Sequence, residues 1–119
     1  MEKKLQEAEL KVMNAIWREE PVMARRIVDL MKEENGWNMN TTYTLIRRCM
    51  EKGAVERSEP GFVCRSLISK EEVQREETDR LIDRVFDGSA DKLFSALLGR
   101  KKLSKKELDD LRKIIGDLE

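Results

Sequence analysis

Residues 38–67 read NMNTTYTLIRRCMEKGAVERSEPGFVCRSL, and the repeat of their apolar positions changes partway along. Up to Lys52 the period is helical, with Leu45, Ile46 and Cys49 or Met50 as the buried face. Gly53 ends that helix. Beyond it the runs AVERSE and FVCRSL alternate about a Pro60-Gly61 turn, which is the pattern of a small β-hairpin whose strands only EPG separates. The start of the helix is unusual in another way. Asn38, Asn40, Thr41, Thr42 and Thr44 are middling helix formers that prefer caps and turns, so propensity does not account for five of them in seven positions. Asn38 suits an N-cap, and the others read as a surface meant for something outside the helix.

Two more helices precede this stretch. Leu5, Ala8, Val12, Ala15 and Ile16 share one helical face, with Glu9 and Lys11 on the other, and Pro21 stops the helix after Trp17. Ile27, Val28 and Met31 define a second helix that ends at ENGW, where Gly36 can take the left-handed C-cap conformation. Three short helices, a tight glycine turn between the last two, and a hairpin describe a winged helix-turn-helix over residues 1–68. In that architecture the third helix enters the DNA major groove and the hairpin lies over the adjacent backbone. The chemistry agrees. Asparagine pairs with adenine N6 and N7, threonine offers a hydroxyl and a methyl, and arginine reads guanine or clamps phosphate. Asn40, Tyr43, Thr44 and Arg47 form one outward stripe opposite Leu45 and Ile46, with Arg48 at its flank. Asn40, Thr41, Tyr43 and Thr44 are the expected base-edge contacts. Arg47 and Arg48, with Arg57 and Arg65 on the hairpin, are the expected phosphate contacts.

Residues 69–119 are built differently. Ser69 with Glu72 and Ser104 with Glu107 match the capping box that satisfies free amides at a helix start. The first of these helices carries Val73, Leu81, Ile82, Val85 and Phe86 and breaks at DGSA; a short helix follows with Leu93, Phe94, Leu97 and Leu98. The final helix shows Leu108, Leu111, Ile115 and Leu118 at alternating spacings of three and four. Amphipathic helices of this length cannot bury their stripes alone, so Leu81, Val85, Phe86, Leu93, Phe94, Leu97, Leu108, Leu111, Ile115 and Leu118 are expected to join a second copy in a homodimer.

Composition narrows the rest. A chain of 119 residues holds one domain, or a small domain with an appendage, and no large catalytic core. Its 24 basic and 24 acidic side chains cancel, so a DNA-binding surface would have to be made locally. With two cysteines and no histidine, the usual structural zinc sets cannot be assembled, and Cys49 and Cys64 read as packing residues. No metal or cofactor is expected. The N-terminus lacks a signal-peptide pattern and no apolar run is long enough to span a membrane, which implies a cytoplasmic protein. No nucleophile-base pair or phosphate-cradling loop suggests an enzyme. The alternative to a DNA-binding regulator is a winged-helix protein-interaction module with only weak DNA binding. A steep salt dependence that survives competitor DNA would mark the former.

The chain resembles the penicillinase-repressor family of bacterial transcriptional regulators. The resemblance is carried in order by AELKVMNAIW, TTYTLIRRCMEKGAV, SLISKEE, LIDRVFDGS and LSKKELDDLRKII. It implies a homodimeric repressor with a winged helix on each half of a palindromic double-stranded operator, controlling beta-lactam resistance genes. Members are relieved by proteolysis, triggered by a membrane-bound beta-lactam sensor protease, or by copper. Thr41 and Thr44 fall where members place threonines at base edges, and Arg48 on a commonly basic position. Asn40 and Tyr43 stand where the resistance repressors carry Lys and Arg, and Glu51 replaces a Lys, so a different operator is implied. The cysteine cluster of the copper branch is missing after Cys64. The Asn-Phe bond cut in the resistance branch corresponds to Ala96 and Leu97.

Overall fold

The computed structural model describes residues 4–99 and 103–118. Its first helix, α1 (Glu7–Glu19), starts on a local hydrogen bond: the Gln6 N–H donates to Glu9 Oε1 at 2.7 Å, the acidic half of a capping box. Glu9 is 2 % exposed. Its expected place on the solvent side of α1 is therefore wrong, and the reason lies far along the chain. Lys52, at the end of α3 (Met39–Glu51), puts its Nζ 2.6 Å from Glu9 Oε1 and 2.7 Å from the Lys4 carbonyl. Burial pushes the Glu9 carboxyl up, but the Gln6 amide and the Lys52 ammonium outweigh it and hold the group below its ordinary value.

Between these helices run β1 (Val22–Met23) and α2 (Ala24–Asn35). Gly36 ends α2 with φ +71, where a side chain would be strained, and its N–H returns to Lys32 O at 2.9 Å. Asn38 then caps α3 by accepting the Thr41 N–H at 2.9 Å. Helices α1, α2 and α3 bury Val12, Met13, Ile16, Ile27, Met31 and Ile46 completely. Cys49 and Cys64 are buried too, and burial pushes their thiols up to about 12 and about 11, so neither forms a reactive thiolate at neutral pH.

The hairpin is β2 (Val55–Ser58) and β3 (Val63–Ser66), in a register that opposes Val55 to Ser66 and Ser58 to Val63. The turn is longer than the expected EPG: Glu59 through Phe62 connect the strands, and Phe62 itself takes φ +52. A third strand was not legible. Residues Val22 and Met23 of β1 pair with Cys64 and Val63, giving the order β1-β3-β2. Two residues carry no alternation, so only the partner strand reveals them.

The chain divides into two compact units, one ending at Arg75 and the other starting at Glu76. The division falls within α4 (Lys70–Val85), whose start is capped by Ser69, with the Glu72 N–H at 3.0 Å. In the second unit Asp87 (φ +54) and Gly88 end α4, Ser89 caps α5 (Ala90–Leu98), and Ser104 with Glu107 forms the expected reciprocal cap of α6 (Lys105–Leu118). No residue of α5 is buried.

The Glu9 carboxyl titrates lower in the folded than in the unfolded chain, so its ionised form stabilises the first unit above pH 4.5 and that contribution is lost as pH falls through the folded value. Glu9→Gln is expected to cost about 2 kcal/mol at neutral pH and to flatten the acid-side loss seen in denaturant titrations. A variant with the wild-type acid slope would contradict the role given to this carboxylate.

Candidate nucleic-acid interface

Helix α3 turns two chemically different faces to its surroundings. Thr42, Leu45, Ile46 and Cys49 are buried, which fixes the opposite stripe outward. Asn40, Thr41, Arg47 and Arg48 are exposed, and Thr44 is half-buried between them. Successive turns thus present Asn40, Thr44 and Arg47, and Glu51 closes the row with a negative charge. Among the described residues Arg47 and Arg48 enter no ion pair. Asn38 is committed to its cap and so is not free to read a base.

Tyr43 departs from the simple stripe. It is half-buried and leans toward the hairpin, with its ring centroid 5.8 Å from that of Phe62 at 47°. Phe62 is a junction that the sequence reading passed over. Its carbonyl accepts the Ala24 N–H at 2.9 Å, its N–H donates to Glu59 Oε2 at 3.2 Å, and the Arg57 guanidinium lies 3.7 Å from its ring centre. One aromatic side chain thereby ties the start of α2, the flank of α3 and the hairpin turn together. Its alternation with Cys64 is that of an ordinary strand residue; the neighbouring Gly61 and Pro60 are the sequence signal for a turn. Arg57 is also paired with Glu59, while Arg65 Nη1 donates to Ser58 Oγ at 3.0 Å. Both arginines remain exposed.

In the second unit Val85, Phe94, Leu98, Ile114 and Ile115 leave 43 to 60 % of their surface open, and Leu81 is exposed as well. Phe86, Leu93, Leu97, Leu108 and Leu111 are half-buried. Phe94, Leu98, Leu108, Leu111 and Ile115 line an open apolar hollow of about 270 Å³ between α5 and α6. The side chain of Leu118 lies outside the described residues. Ala96 is exposed and Leu97 half-buried in the last turn of α5. Among the described residues no cluster of acidic or sulfur ligands could hold a metal ion, and no helix is long and apolar enough to cross a membrane.

A helix-turn-helix with its second helix open along one polar and basic face, backed by a three-stranded wing, defines a winged-helix DNA-binding protein. Comparison with known proteins makes this specific: residues 5–117 match the penicillinase repressor model, and the chain belongs to that family. The family is one of transcriptional repressors, not enzymes. The methicillin resistance regulatory protein MecI of Staphylococcus aureus (strain N315) is 28% identical over 111 residues, which span 92% of this chain and 90% of that protein. The penicillinase repressor of Bacillus licheniformis is 23% identical over 115 residues, 95% of this chain and 90% of its own length. Among solved structures, the DNA binding domain of the repressor BlaI is similar with a TM-score of 0.54 and 27% identity, covering 59% of this chain and 90% of that domain. The Bacillus licheniformis BlaI monomeric form in complex with the blaP half-operator gives 0.53 and 25%, covering 59% of this chain and 88% of that one.

Thr42 sits within α3 at 0 % exposure, and among the described residues its Oγ1 has no hydrogen-bond partner. Desolvating an unpaired hydroxyl costs about 1–3 kcal/mol, so Thr42→Val, which keeps the shape, is expected to raise stability by about 1 kcal/mol in thermal or denaturant unfolding. A loss of stability would mean that the hydroxyl is bonded after all.

Proposed function

We propose that this repressor acts as a homodimer that places one α3 in the major groove of each half of a palindromic operator. The observation that carries the reading is the outward face of α3: short uncharged polar groups on its first turns, then two arginines without an ion pair among the described residues. Asn40, Thr41, Tyr43 and Thr44 lie at base edges, Tyr43 from the side nearer the wing. Arg47 and Arg48, with Arg57 and Arg65 of the wing, hold phosphates. The solved BlaI complex with a half-operator supports this use of the first unit.

Residues 1–68 serve as the DNA-binding domain and residues 69–119 as the dimerisation domain. The exposed apolar side chains of the second unit support this division, because a surface of that kind is stable in water only when a partner covers it. Leu81, Val85, Phe86, Leu93, Phe94, Leu97, Leu108, Leu111, Ile115 and Leu118 are the interface residues. Relatives named for methicillin resistance and penicillinase point to beta-lactam resistance genes as the targets. Induction follows from cutting the Ala96-Leu97 bond after a membrane-bound beta-lactam sensor protease is activated, which separates α6 from the rest and so releases the pair. The repressor works in the cytoplasm, where its operator is.

Alanine at Asn40 or Thr44 is expected to cost about 1–3 kcal/mol on a selected operator and to relax base preference, whereas alanine at Arg48 should weaken all sequences alike and lower the salt slope by about one. Equal effects of all three changes on operator and random duplex, measured by fluorescence anisotropy, would contradict direct readout. Removing residues 76–119 should leave a monomer that binds one half-site weakly, since the linked second site is gone. Sedimentation of that fragment as a dimer at micromolar concentration would place the interface in the first unit instead.

A further inference from the structure

The two arginines of the wing are held very differently. Arg65 donates to the neutral hydroxyl of Ser58. Arg57 presents Nε and Nη2 to the same oxygen, Oε1, of Glu59, and lies 3.7 Å from the centre of the Phe62 ring. The other carboxylate oxygen is not loose either, since Oε2 accepts the Phe62 N–H at 3.2 Å. Glu59 is thus fixed through both oxygens in the hairpin turn, against a guanidinium stacked on a ring that itself meets Tyr43 of α3. The Phe62 amide and then Arg57 hold the Glu59 carboxyl below the usual range, so it is ionised at neutral pH.

A carboxylate engages a guanidinium with the same charge and the same kind of acceptor oxygens as a DNA phosphate. We propose that Glu59 is a built-in competitor for phosphate: it occupies Arg57 in the free protein, and the wing takes hold of DNA by exchanging this ion pair for a backbone contact. The inference rests on the DNA-binding reading above. Both partners of the pair are exposed, and exposed ion pairs are weak enough for such an exchange. While Glu59 is present the tip of the wing carries one positive charge fewer than its arginines suggest. Sequence-independent attraction is lowered, and the contacts of α3 decide more of where the protein stays.

The test uses the full chain and a labelled random-sequence duplex, titrated by fluorescence anisotropy over a range of salt. Glu59→Gln keeps an acceptor for the Phe62 N–H and removes the charge; Glu59→Ser, with a shorter hydroxyl acceptor, is the second variant. Either is expected to bind the random duplex roughly three- to fivefold more tightly, with a salt slope steeper by about one. Adding Arg57→Gln should cancel the gain. Unchanged or weaker binding by both Glu59 variants would overturn the proposal and make Glu59 a residue that only orders the turn. A gain that persists without Arg57 would overturn it too. If wild type and variants alike fail to bind the duplex even at low salt, the DNA-binding reading falls and this inference with it.

Discussion

The ammonium of Lys52 on the buried carboxylate of Glu9 sets where α3 stands. Glu9 belongs to the first turn of α1 and Lys52 follows the last turn of α3, so a single 2.6 Å contact joins the beginning of the first helix to the end of the third. A charge this deep is tolerated only when it is paired and hydrogen-bonded. The Gln6 amide and the Lys4 carbonyl complete that requirement on either side. Cys49 Sγ, 3.8 Å from the Glu9 carbonyl, packs the same corner. With the buried end of α3 held there and its start capped by Asn38, the helix has little freedom to roll, and Asn40, Thr44 and Arg47 keep their outward orientation.

The other flank of α3 depends on Phe62. A strand of two residues, β1, brings the start of α2 against β3, and the Ala24 amide closes on the Phe62 carbonyl. The ring then sits where it can meet Tyr43 on one side and Arg57 on the other. The wing is therefore positioned relative to α3 by an aromatic contact and a backbone hydrogen bond, both indifferent to salt, while the contacts it would make with DNA are ionic and salt-sensitive. Such a division lets ionic contacts of the wing vary without moving α3.

Local signals were sufficient for most of the fold. The αL turn at Gly36, the caps at Asn38, Ser69 and Ser104, and the change of period after Gly53 are each decided by residues a few positions apart, which is why they could be read directly. What escaped depends on long-range partners. Glu9 looks like a surface residue on a helical wheel because nothing within α1 announces Lys52. Val22 and Met23 are a strand only because β3 is beside them. Thr42 is different: it appears in the same polar run as Thr41 and Thr44, and the 3.6-residue period alone turns it inward with Leu45 and Ile46, but the lack of a partner for its hydroxyl among the described residues is visible only once the core is in place. For the site, the exposure of Asn40 and Arg47 was legible from spacing; the lean of Tyr43 onto Phe62 and the pairing of Arg57 with Glu59 were not, because both need the conformation of the hairpin turn.

We propose that two copies of α3 read two symmetric half-sites. Selection of random-sequence duplexes on the full-length protein, at a salt concentration that removes nonspecific binding, tests it most directly. The expected result is enrichment of an inverted repeat whose half-site centres lie an integral number of duplex turns apart, roughly 10 base pairs per turn. An enriched motif without two-fold symmetry, or no enrichment over the starting pool, would contradict it.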